Sequence, residues 1–282
     1  MQPLNERAML VSCKVSVWPA AKTDKKVSAK VAADHAVTER RAGKYRKNCI
    51  NVDAPEFVAV KKAAGELKTA HYRLTLPWHD DGVRILPSLA HPEYAATMRN
   101  LRATFDDRVA EFVAAYPQLV ADARVELNGL FCEEDYPDDI AAKFGASVRF
   151  APLPAATDFR AAVDGADEIR AQIEEGVADA VAAAMRDPYQ RLFDAISRMV
   201  NRLSDPKAVF HDTLVSNVAD LVAILPALNI TDDAQLESLR QDAARLLGGI
   251  GSAQQLRDDP VARASAAQEA AAIERAMAAF MA

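Results

Sequence analysis

Between Tyr94 and Tyr116 apolar residues recur in steps of three and four: Tyr94, Met98, Leu101, Phe105, Val109, Phe112 and Tyr116. At 3.6 residues per turn that spacing puts all seven on one face, which predicts a long amphipathic helix over 93–116 with Pro92 near its first turn. Pro117 predicts a kink or a second helix start, carrying Leu119, Val120, Ala123 and Leu127 to a C-cap at Gly129. An acidic, aromatic turn follows (ELNGLFCEEDYPDDI, 126–140), then a strand-like segment, SVRFAPLP (147–154).

Elsewhere in the first half the period is two. Cys13, Val15 and Val17 alternate with Ser12, Lys14 and Ser16, the pattern of a half-buried strand stopped by Pro19. Residues 72–76 alternate as well, and the Asp81-Gly82 step before VRIL (83–86) is a hairpin signal. These segments predict three antiparallel strands, with SVRF (147–150) as a fourth. Between them, 25–41 reads as a charged helix ended by Gly43. Asp53 before Ala54-Pro55 reads as the cap of a helix over 57–67.

After Pro154 only helical spacing remains. Ile169, Ile173, Val177 and Val181 step by four until Pro188 resets the chain, and Leu192, Ile196, Met199 and Leu203 form the next stripe, ended by Asp205-Pro206. Phe210 to Leu225 makes another, ended by Pro226. Thr231-Asp232-Asp233 then caps a helix carrying Leu236, Leu239, Ala243 and Leu246, closed by Gly248-Gly249. From Ser252 the chain is Ala-rich, with Ile273, Met277 and Phe280 as its only large apolar residues, so it reads as a frayed tail that packs only against a partner. The expected fold is α+β and predominantly helical: a small antiparallel sheet with a long central helix, then a C-terminal helical bundle or arm. The expected division is 1–154 as the α+β region, 155–250 as the bundle and 251–282 as the tail.

Composition supports helix over sheet, since Ala is abundant and Gly and aromatics are sparse. Charge adds an asymmetry. The net charge is −6, yet residues 14–73 hold fourteen Lys and Arg against six Asp and Glu, which leaves the rest of the chain near −14. The three cysteines, Cys13, Cys49 and Cys132, are too widely spaced for a disulfide framework or a metal knuckle. MQPLNERAML lacks the basic stretch and apolar run of a signal peptide, and no window reaches the run of about 20 apolar residues that a membrane helix needs. The expected location is the cytoplasm, with no membrane partner.

Phosphate-loop, HExxH, GxSxG and kinase signatures are all absent from the sequence, so no catalytic residue, metal site or cofactor is assigned. His71, His79, Asp80, Asp81 and His91 cluster around the predicted hairpin without any known ligand spacing. Glu133, Glu134, Asp135, Asp138 and Asp139 read as a solvated turn pinned by Phe131 and Tyr136-Pro137. An enzyme site assembled from His79, Asp80, Asp81 and these acids is the weakest reading. The densest basic cluster, Arg40, Arg41, Lys44, Arg46 and Lys47 with Tyr45 among them, is the candidate nucleic-acid-binding set. Its cations suit phosphates and its ring suits a base.

With Trp18, then Phe105, Phe112 and Tyr116, then Tyr136, Pro137, Ile140, Phe144, Phe150 and Pro154, and finally LPALNI (225–230), the chain resembles an uncharacterised family of phage and prophage proteins. The resemblance spans residues 10–247 and excludes the Ala-rich tail. Genes of that family often lie near those of MoxR-type AAA+ ATPases and of von Willebrand A-domain proteins resembling cobaltochelatase subunits. The resemblance therefore implies an adaptor or substrate of such an ATPase system. With no catalytic signature in the sequence, the expected protein is a non-enzymatic phage protein of the host cytoplasm that acts by protein–protein interaction, as a homo-oligomer or as a partner of that AAA+ machine. The alternative, read from charge, is a nucleic-acid-binding protein of phage replication or recombination using the basic N-terminal region.

Overall fold

A computed structural model of the chain describes residues 4–78, 82–155, 165–205 and 207–281. In order, the elements are α1 (Leu4–Arg7), β1 (Ala8–Ser16), β2 (Ala21–Thr23), α2 (Lys25–Asp34), α3 (Glu39–Ala42), β3 (Arg46–Asn48), α4 (Pro55–Arg73), β4 (Leu76–Pro77) and β5 (Val83–Pro87). Then come α5 (His91–Leu127), β6 (Gly145–Ala151), α6 (Ala166–Ser204), α7 (Thr213–Leu228), α8 (Ala234–Gly249), α9 (Ala253–Asp258) and α10 (Pro260–Met281). The expected class holds: the chain is mostly helical, with a four-stranded sheet in the order β4-β5-β1-β6 and a long central helix. A separate two-stranded ribbon, β2-β3, has no counterpart in the sequence reading.

By contact the chain packs as two compact units, each gathered from separate stretches: 1–12, 72–94 and 149–282 form the first, 13–71 and 95–148 the second. In the first unit β5 is antiparallel to both β4 and β1, with Leu76 opposite Ile85 and Leu10 opposite Ile85 on its other side. The hairpin therefore forms, but its first strand is only Leu76–Pro77: Tyr72 and Arg73, expected to belong to the strand, are the last residues of α4. Its turn residues His79, Asp80 and Asp81 lie outside the described residues, and Gly82 leaves the turn at φ +82°, where a Cβ is disfavoured.

The rest of this unit is helical. Val181, Met185, Leu192, Ile196, Met199 and Leu203 of α6 are buried, as are Val218, Leu225 and Leu228 of α7 and Leu236, Leu239, Ala243 and Leu246 of α8. Asp233 caps α8 by accepting from the amides of Gln235 (2.8 Å) and Leu236 (3.2 Å), and its second oxygen accepts from the Tyr189 hydroxyl at 2.7 Å. One carboxylate thus starts α8 and ties it to α6. Arg191 of α6 donates to the last carbonyls of α4, Tyr72 (3.0 Å) and Arg73 (2.8 Å).

Pro188 and Pro226 do not end their helices as expected, and Pro117, read as a kink or a second helix start, sits within one continuous helix. Pro117 lies inside α5, Pro188 inside α6 and Pro226 inside α7. A proline inside a helix removes one hydrogen bond and crowds the preceding turn. The apolar stripes explain why the helices continue. Pro188 is itself buried, in phase with Ala184, Met185 and Leu192, so stopping there would split one packed face in two. Pro117 and Pro226 are exposed, where water can serve the freed carbonyl.

The tail is also corrected. α10 lies along α6 and α8 of its own unit, burying Ala266, Ala267, Ala270, Ile273 and Met277. Ser197 donates to Glu274 at 2.5 Å and Arg263 donates to the Leu203 carbonyl at 3.0 Å, so the two helices run antiparallel. Few large side chains are needed because buried alanines let the helix axes approach closely.

The core of the second unit is aromatic. Phe112 of α5 meets Phe57 of α4 at 5.5 Å between ring centres and Phe144 at 5.3 Å, while Tyr116 meets Trp18 edge-on at 5.8 Å. Phe105, Phe112 and Tyr116 are all buried, as the helical spacing requires.

Candidate nucleic-acid interface

Residues 21–48 of the second unit form a small ribbon-and-helix element. β2 pairs antiparallel with β3, Lys22 opposite Lys47 and Thr23 opposite Arg46. The helix expected over 25–41 is broken into α2 and α3. The Val37 amide reaches back to the Ala32 carbonyl (3.0 Å) while Ala36 sits at φ +50°, a left-handed terminator built on alanine where glycine is usual. No Gly or Pro marks that break, so the sequence did not show it. Gly43, at φ +83°, ends α3 as expected.

Three hydrogen bonds fix the chain where α2 meets β3. The Asp24 carboxylate caps α2 through the Val27 amide (3.0 Å), the Asp24 amide donates to the Tyr45 carbonyl (3.0 Å), and the Tyr45 amide donates to Ser28 Oγ (3.0 Å). The backbone of Tyr45 is therefore held from both sides, and the residue is 41% exposed.

The structure divides the candidate cations. Arg40, Arg41, Lys44 and Arg46 are exposed, and among the described residues none of them is in an ion pair or side-chain hydrogen bond. Lys22, Lys25, Lys26 and Lys30 of the same element are exposed too, against two exposed carboxylates, Asp34 and Glu39. Lys47 is different. It points inward from β3, 5% exposed, with Nζ 2.8 Å from the Asp135 carboxylate and 3.9 Å from that of Asp24, and it donates to the Leu130 carbonyl. Burial pulls its pKa down, but the hydrogen bond and charge of Asp135, with Asp24 beyond, outweigh burial and raise it above the ordinary lysine value. A lysine so enclosed cannot reach a phosphate, and it leaves the candidate set.

The same contacts change the reading of the acidic turn. Glu133, Glu134, Asp138 and Asp139 are exposed as expected, but Asp135 is paired rather than solvated. Tyr136 stacks on Phe131 with ring centres 4.9 Å apart and donates to the Cys49 carbonyl at 2.6 Å. Lys47 and Tyr136 together dock the turn on β3. Sequence spacing hid this because the partners are far apart in the chain and β3, Arg-Lys-Asn, carries no apolar alternation.

Of the five residues considered for metal chemistry around the hairpin, two fall among the described residues. His71 is buried in α4, and His91 sits at the start of α5 with its ring 5.9 Å from Phe150. His79, Asp80 and Asp81 lie outside the described residues. Among the described residues no group of three or more His, Cys, Asp or Glu side chains is placed to hold a metal ion, and no helix is long and apolar enough to cross a membrane.

Comparison with known protein families, curated proteins and solved structures finds no match.

Proposed function

We propose that this protein binds nucleic acid through the exposed cations of residues 22–46. One contrast carries the reading. Many arginines elsewhere meet a carboxylate, as Arg7 meets Asp232, Arg108 meets Glu111 and Arg240 meets Glu237, whereas Arg40, Arg41, Lys44 and Arg46 are exposed and unpaired on one short element. Exposed, unpaired cations at this density favour the release of counterions from a phosphate backbone. The role proposed is binding, without a catalytic step.

The adaptor reading drew on the family resemblance and on the Ala-rich tail as a free surface. The tail is packed on α6 and α8, so it does not offer the free surface which that reading used.

The test is fluorescence anisotropy with labelled oligonucleotides across a salt series. If four phosphates are neutralised, log K against log salt should fall with a slope of about −2.8 for single strands and about −3.6 for duplex. Reversing all four charges (Arg40→Glu, Arg41→Glu, Lys44→Glu, Arg46→Glu) should abolish binding. Unchanged binding by that folded variant would remove the proposal.

A further inference from the structure

We infer that the Lys44-Tyr45-Arg46 run is a stacking contact selecting single-stranded nucleic acid over duplex; this rests on the nucleic-acid reading above. The geometry is that of a fixed platform. Tyr45 is held at its amide by Ser28 and at its carbonyl by the Asp24 amide, and Ser28 Oγ in turn donates to the Asp24 carbonyl at 2.6 Å. The backbone therefore loses little further freedom when a ligand arrives, which is what preorganisation contributes to affinity. Tyr45 is exposed, as are its chain neighbours Lys44 and Arg46, and Val31 and Val37 of the same element are also exposed, at 39% and 46%.

Duplex offers such a ring nothing to stack on. The faces of paired bases are covered by their neighbours, so within a duplex no base face is open to the Tyr45 ring. An unpaired base has a free π-face, and stacking on an aromatic ring tolerates any base. Lys44 and Arg46, the chain neighbours of Tyr45, suit the phosphates flanking one stacked nucleotide. The ligand class is thus single-stranded DNA or RNA, recognised by backbone charge and one base face.

Anisotropy titrations of the full chain with labelled oligo(dT), oligo(rU) and the dT·dA duplex of equal length test this. Single strands should bind on the order of tenfold tighter than duplex, and Tyr45→Ala should remove about that factor for single strands while leaving duplex binding unchanged. Tyr45→Phe keeps the ring and should retain the preference. The oligo(dT) and oligo(rU) arms show which sugar is preferred. Equal affinity for strand and duplex, or a Tyr45→Ala variant that keeps the preference, overturns this inference and leaves the charge-based reading standing. Binding to none of the three probes overturns both.

Discussion

The ammonium of Lys47 lies 2.8 Å from the carboxylate of Asp135, with only 4% of the lysine side chain and 14% of the aspartate exposed. Strand β3 and the acidic turn are therefore joined by a largely buried ion pair. Removing one member of such a pair strands the other's charge. Asp135→Ala, which leaves the more deeply buried lysine without its nearest carboxylate, should cost about 3–5 kcal/mol. Lys47→Met should cost less, because Asp135 keeps more access to water. The double variant Lys47→Met/Asp135→Leu should recover much of the loss. Urea unfolding of the three variants measures this, and an Asp135→Ala loss below about 1 kcal/mol would mark the pair as an ordinary surface bridge.

Alkali should act on the same region. Burial, then the neighbouring Cys49 and nearby aspartates, push Tyr116 and Tyr136 up to about 12, and Lys47 is raised above 10.5. A group whose folded pKa is raised contributes stability that is complete below its unfolded value and is lost as pH climbs through the folded one. Stability should hold at pH 9 and fall between pH 10 and about 12. Urea midpoints at pH 9 and 11 give the comparison, and Tyr136→Phe should flatten the dependence. A midpoint that does not move would contradict the burial of these hydroxyls.

Helix α10 is predicted to be structural. Met277 is fully buried and Ile273 is 7% exposed against the bundle. Met277→Ala should cost about 2–5 kcal/mol, the usual range for a buried large-to-small change. Thermal unfolding followed by circular dichroism would show it, while a substitution at the exposed Val261 should leave the midpoint in place.

The prolines separate by burial. Replacing the exposed Pro117 or Pro226 with alanine restores a helical hydrogen bond and relieves crowding, so each should stabilise by about 1–3 kcal/mol. Pro188→Ala should gain less, because it also takes ring atoms from a buried stripe. Differential scanning calorimetry ranks the three, and Pro188→Ala proving the most stabilising would refute the packing explanation.

These residues also show what could be read without coordinates. Phe105, Phe112 and Tyr116 announced α5 because burial along a helix leaves a period in the sequence. The sheet was announced by the alternation of Cys13, Val15 and Val17 and by the Asp81-Gly82 step before VRIL. Ribbon β2-β3 left no such trace: Ala-Lys-Thr and Arg-Lys-Asn are polar throughout, and only pairing makes them strands. The inward turn of Lys47 was hidden for a related reason, since its partners Asp135 and Leu130 belong to a distant stretch. Pro188 misled because a local rule about helix ends competes with a packed face that spans it.

The division of the chain into interrupted stretches has a consequence for its birth on the ribosome. The second unit has all of its residues once Val148 has emerged, whereas the first unit still awaits 149–282. Synthesis from the N-terminus therefore lets the basic element and its aromatic core assemble first. The hairpin of β4 and β5, with β1 beside it, must wait for α6, the helix that packs on β4, and α6 in turn for α10, which lies along it.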